Sequence, residues 1–294
     1  MTPQIDHIVL ATRDLAKAAD RFSAMGFTCA PRGVHGWGTS NHVIQFADES
    51  FIELLEVDRP QLIAEPDTAA EPPEFSFGAF NRDFLERREG MSMLVLKGQD
   101  ADADRAKWKA AGLQPYAPFS FERAAKTPDG REGTVGFELA FATDPAMPEA
   151  AFFSCRHKAP ELFFQPGYQK HGNGAGGLAG VVMVADEPTE TADFFKGLMG
   201  AEAVARHADG HVSVRMGPHR LRVVTPADFA SLFPGERPAG RGGRFAALEV
   251  RVASLGVVEN TLRAARIDLV HAGGGMFVPA SAAFGLTLAF RETA

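Results

Sequence analysis

The first chemical question is set by an imidazole and a pair of acids near the amino end. His7 lies in the apolar run Ile5–Ala11, and Glu53 and Glu56 lie in the apolar run Phe51–Val57. Strand side chains alternate between faces, so Ile5, His7, Val9 and Ala11 share one side. Glu53 and Glu56 are three positions apart and point to opposite faces, so only one of them can look into an enclosed space. An imidazole and a carboxylate left unpaired among apolar neighbours cost on the order of several kcal/mol. Coordination of a divalent cation offsets that cost, and so does a plain His–Glu hydrogen bond. The residues alone leave both open.

Two loops add polar groups that can meet a small molecule. Val34–Asn41 (VHGWGTSN) joins flexible glycines to His35, Trp37, Thr39 and Asn41, and the plain alternative is a turn with a packed Trp. The stretch from His157 to Asn173 carries His157, Glu161, His171 and Asn173. His42, His207, His211, His219 and His271 have no partner at an informative spacing and read as surface or satisfied histidines. No Ser/His/Asp arrangement, P-loop or dinucleotide fingerprint is present; Gly240–Gly243 is arginine-rich and opens no strand-to-helix turn.

The elements that must position these residues repeat along the chain. Ile5–Ala11 reads as a strand and Leu15–Met25 as a helix with Asp14 as N-cap and Gly26 at its end. Thr28–Arg32, His42–Phe46 and Phe51–Val57 read as three further strands, which completes a βαβββ unit. Three segments repeat the layout: Met91–Lys97 with a helix over Ala106–Ala111 and strands Thr134–Phe141 and Ala151–Cys155; Leu178–Ala185 with a helix over Glu187–Met199 and strands Val212–Met216 and Leu221–Thr225; and Phe245–Val252 with a helix over Leu255–Ala265 and strands Ile267–Val270 and Leu286–Arg291. Gly26, Gly112 and Gly200 recur at near-equal intervals. A unit with one amphipathic helix and four short strands cannot bury its sheet alone, so two units must close on each other. Lys158–Gly177, with two Pro and five Gly, is the natural break, and its Phe163, Phe164 and Tyr168 predict packing across one half. Glu65–Pro73 and Gly235–Gly243 read as shorter connections.

Composition bounds the rest. The chain has 294 residues, 45% of them hydrophobic, with a formal net charge of −7. That length predicts about two domains, and an acidic chain has no attraction for nucleic acid. No apolar run reaches the roughly 18–20 residues that span a bilayer, and the amino end (MTPQIDH) lacks the features of a signal peptide. Cys29 and Cys155 are the only cysteines and read as two buried reduced thiols. A cytoplasmic location is the expectation.

The opening, "DHIVLATRDL…GF…GTSN…FIELLE", together with four βαβββ units, resembles the vicinal oxygen chelate superfamily, and the first half resembles its glyoxalase-like domains. The resemblance implies an α+β fold of two half-barrel domains, taken here as 1–166 and 178–294 with a linker at 167–177. The superfamily spans glyoxalase I, extradiol dioxygenases, methylmalonyl-CoA epimerase, fosfomycin-inactivating transferases and metal-free bleomycin-binding proteins, so the site must choose among them. Its usual ligand positions, on the first and last strand of a unit, fall on His7 and Glu53; its register favours Glu53 over Glu56. The "GWGTxN" stretch is similar to one in the glyoxalase-like domains, which implies substrate contacts for His35, Trp37 and Asn41, with Glu161 and His171 added from the later loop. In the second unit Ser92 falls near the ligand position of the first strand. If Phe153, Cys155 and His157 share a face, His157 completes a two-His, one-carboxylate set with His7 and Glu53, suited to Zn, Fe, Mn or Ni with open positions for substrate; His157 can equally open the loop and bond substrate. His7 corresponds to Gly180 and Ala247 in the last two units, and Glu53 to Arg222, with Glu292 the one carboxylate in the fourth. Extradiol enzymes carry their two-His, one-Glu iron site in that half, so its absence argues against that chemistry there, and the half reads as a structural or dimer-forming module or a wall of the pocket.

The expectation is therefore a metal-dependent lyase or isomerase acting on a small oxygen-rich molecule, with Glu53 and His157 as ligands or acid–base groups. The alternatives are a metal-free small-molecule binder and an extradiol-type dioxygenase. A homodimer is an open possibility.

Overall fold

The computed structural model describes residues 3–292. The first unit comprises β1 (Ile5–Ala11), α1 (Leu15–Ala24), β2 (Gly33–Val34), β3 (Thr39–Gln45) and β4 (Phe51–Val57), followed by α2 (Phe77–Arg87). The second comprises β5 (Gly90–Lys97), α3 (Ala101–Ala110), β6 (Phe119–Lys126), β7 (Glu132–Thr143) and β8 (Ala151–His157), followed by the short α4 (Pro160–Phe163). The third comprises β9 (Ala175–Val184), α5 (Ala192–Met199), β10 (Val204–Arg206), β11 (Val212–Met216), β12 (His219–Val224) and α6 (Pro226–Leu232). The fourth comprises β13 (Arg244–Val252), α7 (Leu255–Ala264), β14 (Val270–Ala272), β15 (Gly275–Val278) and β16 (Thr287–Glu292).

Units pair into two eight-stranded sheets of identical plan, β2-β3-β4-β1-β5-β8-β7-β6 and β10-β11-β12-β9-β13-β16-β15-β14. In each, the first strands of two units run antiparallel at the centre (β1 with β5, β9 with β13) and each last strand lies parallel to its own first strand. The chain is thus α+β, two curled half-barrels.

Local sequence explains the elements. In α1, Asp14 accepts from the Lys17 N–H, Leu15, Ala18 and Phe22 form the buried stripe, and Gly26 leaves the helix at φ 87°. The opposite face of β1, with Ile8 and Leu10, joins a core shared by both halves. Phe152 there meets Phe194, Phe195 and Phe245 at centroid distances of 5.1, 5.5 and 5.4 Å, and Trp108 donates its indole N–H to the Leu198 carbonyl. The helix-covered faces thus bury each other and leave each sheet its own concave face. After β4 and β12, α2 and α6 fold back over those concave faces, where they bury Phe77 and Phe229.

Several expectations need correction. Thr28–Arg32 is not a strand: Pro31 cannot donate to a ladder, and the Thr28 N–H goes to His171 Nδ1 instead. Ile267 closes α7, its N–H on the Leu262 carbonyl, and the strand begins at Val270. Cys155 is buried, but Cys29 is partly exposed. The stretch from Lys158 onward contains α4, and its Phe163, Phe164 and Tyr168 pack on Ala30, Val43 and Phe51 of the first half. Among the described residues, no helix is long and apolar enough to cross a membrane.

Candidate functional site

The concave face of the first half gathers buried ionisable groups. β1 would alternate Asp6 away from His7, but it carries a bulge: Ile5 pairs with Leu96 and His7 with Val95, which leaves Asp6 as the extra residue. The bulge turns Asp6 to the same side as His7, and its Oδ1 lies 2.6 Å from His7 Nδ1 and 3.2 Å from His157 Nε2. Burial opposes the charge on Asp6, yet the charge and hydrogen bond of His157, with those of His7, outweigh it and hold the carboxyl well below the usual range. Asp6 is therefore an anion clamped between two imidazoles.

His7 has its other nitrogen toward β4. Val9 pairs with Glu53 in the parallel β1–β4 ladder, and His7 Nε2 lies 3.8 Å from Glu53 Oε2. Glu53 is 6% exposed. Glu56 points to the other face, where it accepts from the Leu15 N–H and Arg32. The Glu53 carboxylate is fixed by Asn41, which donates to Oε1 at 2.6 Å, and His35 Nε2 lies 3.9 Å from the same oxygen. His35 in turn is oriented by Thr39 at its Nδ1 (2.8 Å) and stacks on Trp37 (4.7 Å, 11°). Burial pushes the proton affinity of His35 down, although Glu53 opposes this.

The walls are aromatic: Phe51 stacks on His7 at 4.1 Å, Phe153 meets it edge-on, and Phe121 lies against both Trp37 and Phe137. Phe163 closes the side toward the loop after β8. The free space left among these groups is about 50 Å³, room for roughly one or two water molecules.

This arrangement suits a divalent cation at one end. A carboxylate on one nitrogen of an imidazole presents the other as a lone pair, the arrangement that metal-ligating histidines share. Here Asp6 does this to His7, and the lone pair faces a second acceptor, Glu53 Oε2, across 3.8 Å. Two acceptors in a buried site ask for a shared proton or cation between them. Imidazole nitrogen and carboxylate oxygen are donors that Zn, Mn and Fe accept.

The site differs from the sequence-based set in its third member. His7, His35, Trp37, Asn41 and Glu53 surround one cavity. His157 does share a face with Phe153 and Cys155, but its Nε2 turns to Asp6, so it lies behind His7 rather than beside Glu53. Asp6, Cys155 and His157 bring one ligand atom each within 4.8 Å of one another. Asp6 already accepts from both imidazoles, though, and burial, then the charges of Asp6 and Glu53, keep the Cys155 thiol protonated. Ser92 serves α2, donating to Asn81 Oδ1. From β6, β7 and β8 the second unit lines the cavity with Phe121, Arg123, Phe137, Leu139, Phe153 and Cys155, none of them a ligand for a hard cation. Glu161 is exposed, and His171 bridges the Thr28 N–H and the Gln45 carbonyl outside the cavity.

Two residues escaped sequence reasoning. Asp6 was hidden by the bulge. Arg123 sits on β6, whose inner and outer residues alternate in exposure along FSFERAAK, and it reaches over the cavity toward Glu53. The alternation of Phe119, Phe121 and Arg123 was the available signal.

A sequence profile of the glyoxalase-like domain matches residues 5–199. Curated proteins yield no sequence match. In three dimensions the chain is similar to a hypothetical protein from Staphylococcus aureus, with TM-score 0.66 and 13% identity over 99% of this chain and 100% of that one. It is also similar to a variant of 4-hydroxymandelate synthase from Streptomyces coelicolor (TM-score 0.60, 12% identity, 99% and 93% covered). A third likeness is to the Mn(II)-bound glyoxalase from Novosphingobium aromaticivorans (TM-score 0.56, 14% identity, 99% and 82% covered). At such identities the structural likenesses carry the fold alone. The profile match spans most of the chain, and on that ground the protein belongs to the glyoxalase-like domain family of the vicinal oxygen chelate superfamily.

Proposed function

We propose that the concave face of the first half is the active site of a metal-dependent lyase or isomerase acting on a small oxygen-rich molecule. The observation that carries this reading is His7 Nε2 facing Glu53 Oε2 at 3.8 Å, with Asp6 behind the imidazole. His7 and Glu53 would hold the cation, of Zn, Fe, Mn or Ni type, with His35 next to the second Glu53 oxygen. Bound there, such an ion supplies Lewis acidity toward an oxyanion that develops on the substrate.

The chain's own groups support the rest. His35 is kept neutral by burial, so its Nε2 can take a proton from a substrate carbon or hydroxyl and return it elsewhere. Asn41 prevents the Glu53 carboxylate from rotating. The aromatic walls exclude water and strengthen every charge interaction inside.

A second reading, a metal-free binding protein, draws on one observation: the second unit lines the cavity mostly with apolar side chains, Phe121, Phe137, Leu139 and Phe153. Elemental analysis of protein purified without chelator separates the two. The enzyme reading expects about one equivalent of divalent metal, lost in His7→Ala; a metal content near zero that His7→Ala leaves unchanged supports the binder.

A further inference from the structure

We propose that the molecule this cavity takes is a small carboxylate with an apolar body, its carboxylate held by the guanidinium of Arg123 and the indole N–H of Trp37. The proposal rests on the reading of the cavity as the active site, and it names the substrate class.

Two donors lining this cavity have no hydrogen-bond partner among the described residues: Nε of Arg123 and Nε1 of Trp37, both buried at those atoms. An unsatisfied buried donor costs about 1–3 kcal/mol, and two such donors over one cavity call for a common acceptor. A carboxylate offers two oxygens in one plane and matches the forked geometry of a guanidinium.

Charge points the same way. Glu53 is the acid that acts on Arg123 electrostatically. When Glu53 is engaged by a cation and by Asn41, the charge of Arg123 has no counter-ion left in the cavity. One negative charge restores the balance. A dianion such as a phosphate monoester would add excess charge beside Glu53 and Asp6, both buried.

A Cβ on Gly33 would stand 2.4 Å from Asn41 Oδ1 and 3.5 Å from Arg123 Nη1, so glycine is what lets the Asn41 carboxamide and the Arg123 guanidinium lie against β2 beside the cavity. The orphaned Asn41 Oδ1 can accept from a hydroxyl on the same molecule. One residue pair along β6, Phe121 replaces the charge with a ring packed on Phe137 and Trp37. The cavity is therefore polar toward Arg123 and apolar toward Phe121, and a ligand with a charged head and an apolar body fits that polarity.

Isothermal titration calorimetry with acetate, propionate and isobutyrate, acids chosen to suit a cavity of about 50 Å³, each against its neutral amide, tests this on the full chain. At least one acid is expected to bind ten-fold or more tightly than its amide. Arg123→Gln should abolish that preference, Arg123→Lys should restore part of it, and Trp37→Phe should weaken the acid several-fold. Equal binding of acid and amide, an unchanged preference in Arg123→Gln, or no binding of any of the three acids would overturn the proposal. Mn(II) uptake measured on the same samples keeps the two readings apart. Normal uptake without acid preference sinks this proposal alone, and acid preference without uptake sinks the metal reading alone.

Discussion

The two concave faces share a plan and differ in everything that bears on chemistry. Val9 pairs with Glu53 in the first half and Val182 with Arg222 in the second, so His7 corresponds to Gly180 and Glu53 to Arg222. In the first half the acids and imidazoles are buried among aromatic rings around about 50 Å³ of free space. The second half is an open cleft of about 1130 Å³ lined by Arg215, Arg220, Arg222 and Arg291, and Glu249 bridges the last two. Solvent satisfies the charges of the open face, whereas the closed face must satisfy its own. The repeated fold thus preserves strand register while the residues at matching positions differ.

The largest expected effect comes from removing a ring that both packs the first half and faces the site. Phe153→Ala should cost about 3–5 kcal/mol in denaturant unfolding and weaken metal uptake. Phe277→Ala, equally buried under α6 in the second half, should cost a similar amount and leave uptake intact. If both variants lose uptake together, the two faces are not independent.

Next in size is an attempt to copy the ligand. A Cβ on Gly180 would lie 2.3 Å from the Arg220 carbonyl, so the second half has no room for a side chain there. Gly180→His combined with Arg222→Glu should lose about 1–3 kcal/mol from overpacking and gain no metal site. A second bound metal in that variant would show that register alone makes the site.

A smaller effect involves the strap that crosses the first half, for which His171 supplies two bonds, to the Thr28 N–H and the Gln45 carbonyl. Burial lowers its proton affinity, against the Gln45 bond. A folded value below the unfolded one near 6.5 means that the unfolded chain binds the proton first. Its stabilising contribution is then complete above about pH 6.5 and is lost as pH falls through the window down to the folded value. Urea midpoints from pH 7.5 to 5.5 should fall for the wild type and fall less for His171→Asn.

The smallest change is expected at the open face. Arg215 and Arg220 are directly opposed across β11 and β12, and like charges in that position repel. Arg220→Ser should alter stability by no more than about 0.5 kcal/mol, with metal uptake unchanged.

The sequence made the repeat legible because each unit opens with an apolar strand and a capped helix. Phe51–Val57 matches β4 to the residue, and the correspondence of His7 with Gly180 survives in the ladders. Alternation put only one of Glu53 and Glu56 on the inner face, and the family resemblance, not the residues alone, pointed to Glu53 opposite His7. Asp6 did not, since one bulge defeats the count, and His157 was placed on the right face but its partner depends on that same bulge. Helix α2 was obscured because its buried Phe77 and Phe84 follow a Pro-rich stretch, and Arg123 reaches the site only because the β6–β7 hairpin forms the sheet edge beyond β8.

The account stands on His7 and Glu53 sharing a single cation in the first half. Calorimetric titration with Mn(II) of the wild type, His7→Ala, Glu53→Gln and Arg222→Ala measures this directly. One ion per chain is expected for the wild type and Arg222→Ala, with affinity reduced at least a hundred-fold in the other two; undiminished uptake by His7→Ala would contradict it.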